Sequence, residues 1–136
     1  MNKVFILLVD DDASFLDAMK DYLTLTNECT VECALSAEEA LKKMKNTMYD
    51  AVVSDYSMPD VNGVELLKSV RTFSNIPFIL FTGVGDEQII NEAIENEVDF
   101  YLEKGEDPDV LFPKLFQMIQ FGMYKKQTDD ETREMK

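Results

Sequence analysis

Short apolar runs and helical stripes take turns along this chain. VFILLV (4–9), TVECA (30–34), AVVS (51–54), PFILFT (77–82) and DFYLE (99–103) have strand length and are rich in β-branched and aromatic residues. Between them, apolar residues recur at helical spacing. Residues 14–26 place Phe15, Leu16, Met19, Tyr22 and Leu23 on one face. After SAEE (36–39), where Ser36 and Glu39 form a capping box, Ala40, Leu41 and Met44 point inward. A third helix is predicted over about 64–72 and a fourth over 87–96, with Ile89, Ile90, Ala93 and Ile94 facing the core. Asp107 caps a last helix with Pro108 at its first position, running to about residue 124. Pro113, lacking an N–H inside that helix, predicts a kinked or irregular first turn.

Five strands alternating with five helices predict βαβ units and an α/β fold, a doubly wound parallel sheet covered on both faces. Ligands of such sheets bind beyond the carboxyl ends of the strands. That rule collects Asp10, Asp11 and Asp12 after the first strand, Asp55 after the third, Thr82 after the fourth and Lys104 after the fifth on one rim. Residues 125–136, four basic and four acidic with no apolar stripe, are expected to be frayed helix or disorder, or the start of a linker.

With 136 residues the chain is one domain, which buries roughly two thirds of its unfolded surface. Thirteen basic against 27 acidic residues give a net charge of −14, which argues against nucleic acid and anionic lipid and points to cations or basic surfaces as partners. No apolar run approaches a membrane span and no signal region precedes the first strand, so a cytoplasmic protein is expected. Cys29 and Cys33 lie four apart on a strand, about 13 Å, too far for a disulfide. They read as core thiols.

Three consecutive aspartates at a strand end pose the chemical question. A solvated turn with one aspartate capping the next helix accounts for one of them, or two. Carboxylates 10, 11 and 55 brought together would repel unless a hard cation sat among them, and Mg²⁺ takes one or two carboxylates while keeping waters and phosphate oxygens. A carboxylate beside such a cation can attack phosphorus to give an aspartyl phosphate. Lys104 and Thr82 offer the charge and hydrogen bond that phosphoryl oxygens require.

In LLVDDD, VVSDYSMPDVNG, FILFTG and DFYLEKG, in this order, the chain resembles the receiver domain of two-component response regulators over residues 3 to about 124, and SDYSMPDVNG is very like the family's D-x-x-M-P-x-x-x-G loop. The resemblance implies a flavodoxin-like sheet of order 2-1-3-4-5 in residues 1–124. It implies Asp55 as phosphoryl acceptor, Asp11 as direct Mg²⁺ ligand, Asp10 acting through a metal-bound water, and the Ser57 backbone carbonyl completing the protein ligands. Thr82 and Lys104 would hold the phosphoryl group, with Thr82 and Tyr101 as switch residues on the face of the fourth helix, fifth strand and fifth helix. Asp12 has no role in the family and is read as a helix cap.

The chain has no histidine, so the donor would be a histidine kinase, a phosphotransfer protein or a small acyl phosphate. The target would be the basic surface of another protein, because residues 86–99 carry six carboxylates and no lysine or arginine. A monomer is expected.

The chain departs from the family at Gly83, usually another small residue, which opens room over the phosphate, and at Gly105, usually proline. The Lys104–Gly105 peptide is expected to be trans, with glycine at positive φ shaping the loop. VDDDAS also fits the nucleophile loop of haloacid-dehalogenase-like phosphatases, with Asp10 as nucleophile and Asp12 as general acid. That reading leaves Asp55 unexplained. A third reading makes the domain the input module of a longer kinase or effector, with the same chemistry at Asp55.

Overall fold

Among the described residues, 3–25, 27–83 and 86–134 of a computed structural model, the apolar runs form one five-stranded parallel sheet of order β2-β1-β3-β4-β5. Its strands are β1 (Val4–Val9), β2 (Cys29–Ala34), β3 (Ala51–Asp55), β4 (Phe78–Thr82) and β5 (Phe100–Glu103). The helices are α1 (Ala13–Leu25), α2 (Ala37–Asn46), α3 (Gly63–Arg71), α4 (Glu87–Glu95) and α5 (Pro108–Glu134). The predicted fold class is the observed one.

Strand side chains alternate between faces, so the sheet supports two cores. Ile6, Leu8, Val53, Ile79 and Phe81 pack against Leu16, Met19 and Leu23 of α1 and Leu111, Leu115 and Ile119 of α5. Leu7, Val9, Val52, Phe78 and Leu80 meet α2, α3 and α4 through Ala40, Leu67, Val70 and Ala93. Each fully buried Leu, Ile or Phe contributes about 1.5–3 kcal/mol of transfer free energy. The strand ends are thereby anchored to a rigid frame.

Apart from the C-terminal end of α5, ends of elements fall within one or two residues of expectation, and Thr26 lies outside the described residues. Ser36 caps α2, accepting from the Glu39 N–H, while the Glu39 carboxylate accepts from the Leu35 N–H rather than from Ser36. The reciprocal box occurs instead at α3, between Asn62 and Glu65.

Three further expectations need correction. Ile94 is 62% exposed rather than inward, because α4 docks through Ala93 and Ile89 and places Ile94 a further 100° around the helix. Gly105 does not use positive φ, and an added Cβ there would meet nothing within 4 Å, so the loop turns in ordinary backbone space; its peptide bond to Lys104 is trans, as expected. Finally, α5, with Pro113 inside it, does not stop near residue 124 but continues to Glu134. Beyond Tyr124 it is held by spaced polar pairs, Lys126 with Asp130 at 2.9 Å and Gln127 with Glu131 at 3.2 Å.

Both cysteines are free, Cys29 buried and Cys33 half-buried.

Candidate functional site

The carboxyl ends of β1, β3, β4 and β5 do meet on one rim. Asp10 follows β1 directly, its N–H bonded to the Ala34 carbonyl at 3.1 Å, and Asp55 is the last residue of β3. Although charged, Asp10 and Asp55 are only 2% and 6% exposed. Asp11 is exposed beside them, and one carboxylate oxygen from each of Asp10, Asp11 and Asp55 lies within 4.8 Å of the other two. This all-oxygen donor set could hold a metal ion, and its hardness suits Mg²⁺ better than zinc or copper.

Lys104 enters from the far side of the sheet. Its Nζ lies 2.7 Å from Asp10 Oδ2 and 3.3 Å from Asp55 Oδ1, bridging the two buried carboxylates. The Lys104 N–H donates to the Thr82 carbonyl at 2.8 Å, so β4 fixes the root of the lysine. Thr82 itself is fully buried at the end of β4. Ser57 is exposed, two residues beyond Asp55 in the β3–α3 loop. Tyr101 is half-buried against the α3/α4 side of the core.

Asp12 stands apart from the cluster. Its Oδ1 accepts the Phe15 N–H at 3.2 Å, capping α1, and its own N–H donates to Asp10 Oδ1 at 2.9 Å. The cap reading of Asp12 holds, and the general-acid role that the phosphatase reading gives it has no geometric support.

Two contributors are invisible to strand-end logic. Phe15, read from sequence as a core residue, puts its ring 4.4 Å from Lys104 Nζ. Gly63 lets α3 begin against the backbone of Asp55: an added Cβ would fall 2.3 Å from the Asp55 carbonyl oxygen. The terminal glycine of MPDVNG was the available signal for the second. Nothing in the sequence marked the first.

Burial is the main cause of the shifted acidities. It raises the Asp10 carboxyl above its ordinary range, against the hydrogen bond from Lys104. Burial and then the adjacent Asp10 charge push Asp55 to about 6. Because the folded Asp55 holds its proton more tightly than the unfolded one, its ionisation opposes folding: the cost is absent below pH ~4, grows up to about 6 and is constant above. Asp55→Asn removes that cost and loses part of the Lys104 attraction. Without metal at pH 7 the variant is therefore expected to be more stable by ~1–3 kcal/mol, the gain shrinking as the pH falls towards 4. Urea melts across that range check it, and a gain that grows in acid would contradict it.

The family model described as response regulator receiver domain matches residues 6–116. A transcriptional regulatory protein CpxR homolog of Haemophilus influenzae is 39% identical over 82 residues, 60% of this chain and 35% of that protein. A chemotaxis protein CheY homolog of Campylobacter jejuni is 30% identical over 121 residues, covering 86% of this chain and 93% of that one. Among solved structures, a CheY-like response regulator receiver domain protein of Methanospirillum hungatei superimposes with a TM-score of 0.80 at 26% identity, over 91% of this chain and 99% of that one.

Proposed function

Since this chain belongs to the response regulator receiver domain family of two-component systems, we propose that it is a phosphorylation-dependent switch that accepts a phosphoryl group on Asp55. The observation that carries this reading is the placement of buried Asp55 beside Asp10 and Asp11, with the Lys104 ammonium within 3.3 Å. A carboxylate oxygen of Asp55 attacks phosphorus. The new O–P bond forms as phosphorus parts from the imidazole nitrogen of a phosphohistidine donor, or from the oxygen of a small acyl phosphate, and the departing atom keeps the electron pair.

Asp11, Asp55 and the Ser57 carbonyl would hold Mg²⁺, with Asp10 acting through a bound water. The ion would supply positive charge against the carboxylates and the phosphoryl oxygens. Lys104 leaves Asp55 for a phosphoryl oxygen, and Thr82 donates its hydroxyl to another.

The output face is then α4, β5 and α5, reached when Thr82 moves to the phosphoryl group and Tyr101 turns inward, a shift between two pre-existing arrangements. Of the six acids in residues 86–99, Glu92 pairs with Lys68 at 2.8 Å and Asp99 with Arg71 at 3.0 Å, both partners coming from α3. Asp86, Glu87, Glu95 and Glu97 stay exposed, which supports a basic protein partner over self-association. Phosphorylation by a histidine kinase or phosphotransfer protein completes the reading.

The test is incubation with Mg²⁺ and acetyl phosphate, then mass mapping of the modified residue. Modification at Asp55 is expected. Modification at Asp10 alone, or none at all, would overturn the proposal.

A further inference from the structure

Lys104 sits over a ring as well as between two carboxylates. Its Nζ is 4.4 Å from the centroid of Phe15 and 5.7 Å from that of Phe81, while bonding Asp10 and lying close to Asp55. An ammonium has three donors. The carboxylates take two directions, and the π face of Phe15 attracts the charge through its quadrupole, an interaction that strengthens where water is excluded. That attraction has no preferred N–H direction, unlike a hydrogen bond.

The Phe15 ring is itself fixed. It packs at 5.5 Å on Phe81 and 6.1 Å on Phe112 of α5, and the Phe15 main-chain N–H donates to Asp12 Oδ1, which fixes the start of α1. A lysine stem is long and flexible, so confining its head removes rotamer freedom before the reaction rather than during it.

We propose that Phe15 is a positioning residue for phosphoryl transfer, an aromatic floor that holds the Lys104 ammonium at the acceptor while letting it pivot from Asp55 onto the incoming phosphoryl oxygens. The third aspartate contributes only by capping the start of α1, the helix that carries Phe15. The inference rests on the reading of Asp55 as acceptor. It concerns a residue outside the carboxylate, hydroxyl and lysine set.

Two measurements test it. In protein labelled with ¹³Cε-lysine, the ε-methylene of Lys104, assigned by its disappearance in Lys104→Met, is expected upfield of the other lysines through the ring current of Phe15, and Phe15→Leu should return it to the common position. A Lys104 signal at the common position in the wild type would overturn the proposal without reference to any activity.

The second is the rate of Asp55 modification by acetyl phosphate with saturating Mg²⁺. Phe15→Leu should slow it roughly three- to tenfold, and Phe15→Tyr, which keeps the ring, should restore most of it. In a Lys104→Met background the leucine substitution should cost nothing further. An equal loss in both backgrounds, or a wild-type rate in Phe15→Leu, would overturn the proposal. If wild-type protein takes no phosphoryl group while the upfield shift is present, the acceptor reading falls and the lysine seat stands only as structure.

Discussion

Asp55→Asn is expected to reduce phosphoryl uptake to the detection limit while leaving the domain folded. The amide has almost the shape of the carboxylate, so the β3 terminus keeps its packing. It lacks the anionic oxygen that would attack phosphorus in the proposed transfer. No neighbouring carboxylate is placed to substitute well: Asp10 Oδ1 accepts the Asp12 N–H and its Oδ2 the Lys104 ammonium, and Asp11 is exposed. The assay is acetyl phosphate labelling of wild type and variant at equal Mg²⁺, read by intact mass. Labelling of the variant at the wild-type rate would remove Asp55 from the mechanism. The same substitution is expected to stabilise the metal-free domain, so the burial of Asp55 comes at the expense of stability.

Gly63→Ala should damage fold and site together. The added methyl would lie 2.3 Å from the Asp55 carbonyl oxygen and 2.7 Å from Leu80 Cδ1. A side chain such as Leu80 can turn away, but the Asp55 carbonyl is main chain at the end of a buried strand. Either α3 retreats or the β3 terminus moves. Overpacking of this kind costs about 1–3 kcal/mol and sometimes more, and backbone on the receiving side places Gly63 at the upper end. A drop in Tm of about 10 °C is expected, with slower phosphoryl uptake because Asp55 shifts relative to Lys104. Gly83→Ala and Gly105→Ala make the comparison: a Cβ at either position meets nothing within 4 Å, and both are expected to melt within a degree or two of wild type. Equal melting of all three alanine variants would show that α3 yields freely.

Much of the site could be read from the chain because strand ends are local features. An apolar run that stops at Asp10, Asp55, Thr82 or Lys104 states where each residue sits along its strand, and parallel connectivity puts all those ends on one rim. The grouping of Asp10, Asp11 and Asp55 follows from β1 and β3 being neighbours in the sheet. Phe15 could not be read this way. Its place in the apolar stripe of α1 is that of an ordinary core residue, and its contact with Lys104 depends on how α1 crosses the sheet.

The acids of residues 86–99 show a similar limit. Read along the sequence they are an unrelieved negative stretch, yet Lys68 and Arg71 arrive from α3 to pair with Glu92 and Asp99. Side chains on different helices meet through packing angles, which no periodicity encodes. Ile94 fails for the reverse reason. A stripe four residues wide fits a helix buried on a broad face, whereas α4 docks along a narrower line through Ala93.

By itself, then, the sequence determined the order of the elements, their parallel pairing into an α/β sheet and the clustering of charge at one end of it, because hydrophobic period and chain connectivity are local rules. Only the tertiary structure decided how that charge is balanced. Asp10 and Lys104 are 94 residues apart in the chain and 2.7 Å apart in space, the proton affinity of Asp55 is set by its depth and by Asp10, and Gly63 is required by a backbone it touches only after folding. These are effects of burial and of distance between groups remote in sequence, and both come into being when the sheet closes over its helices.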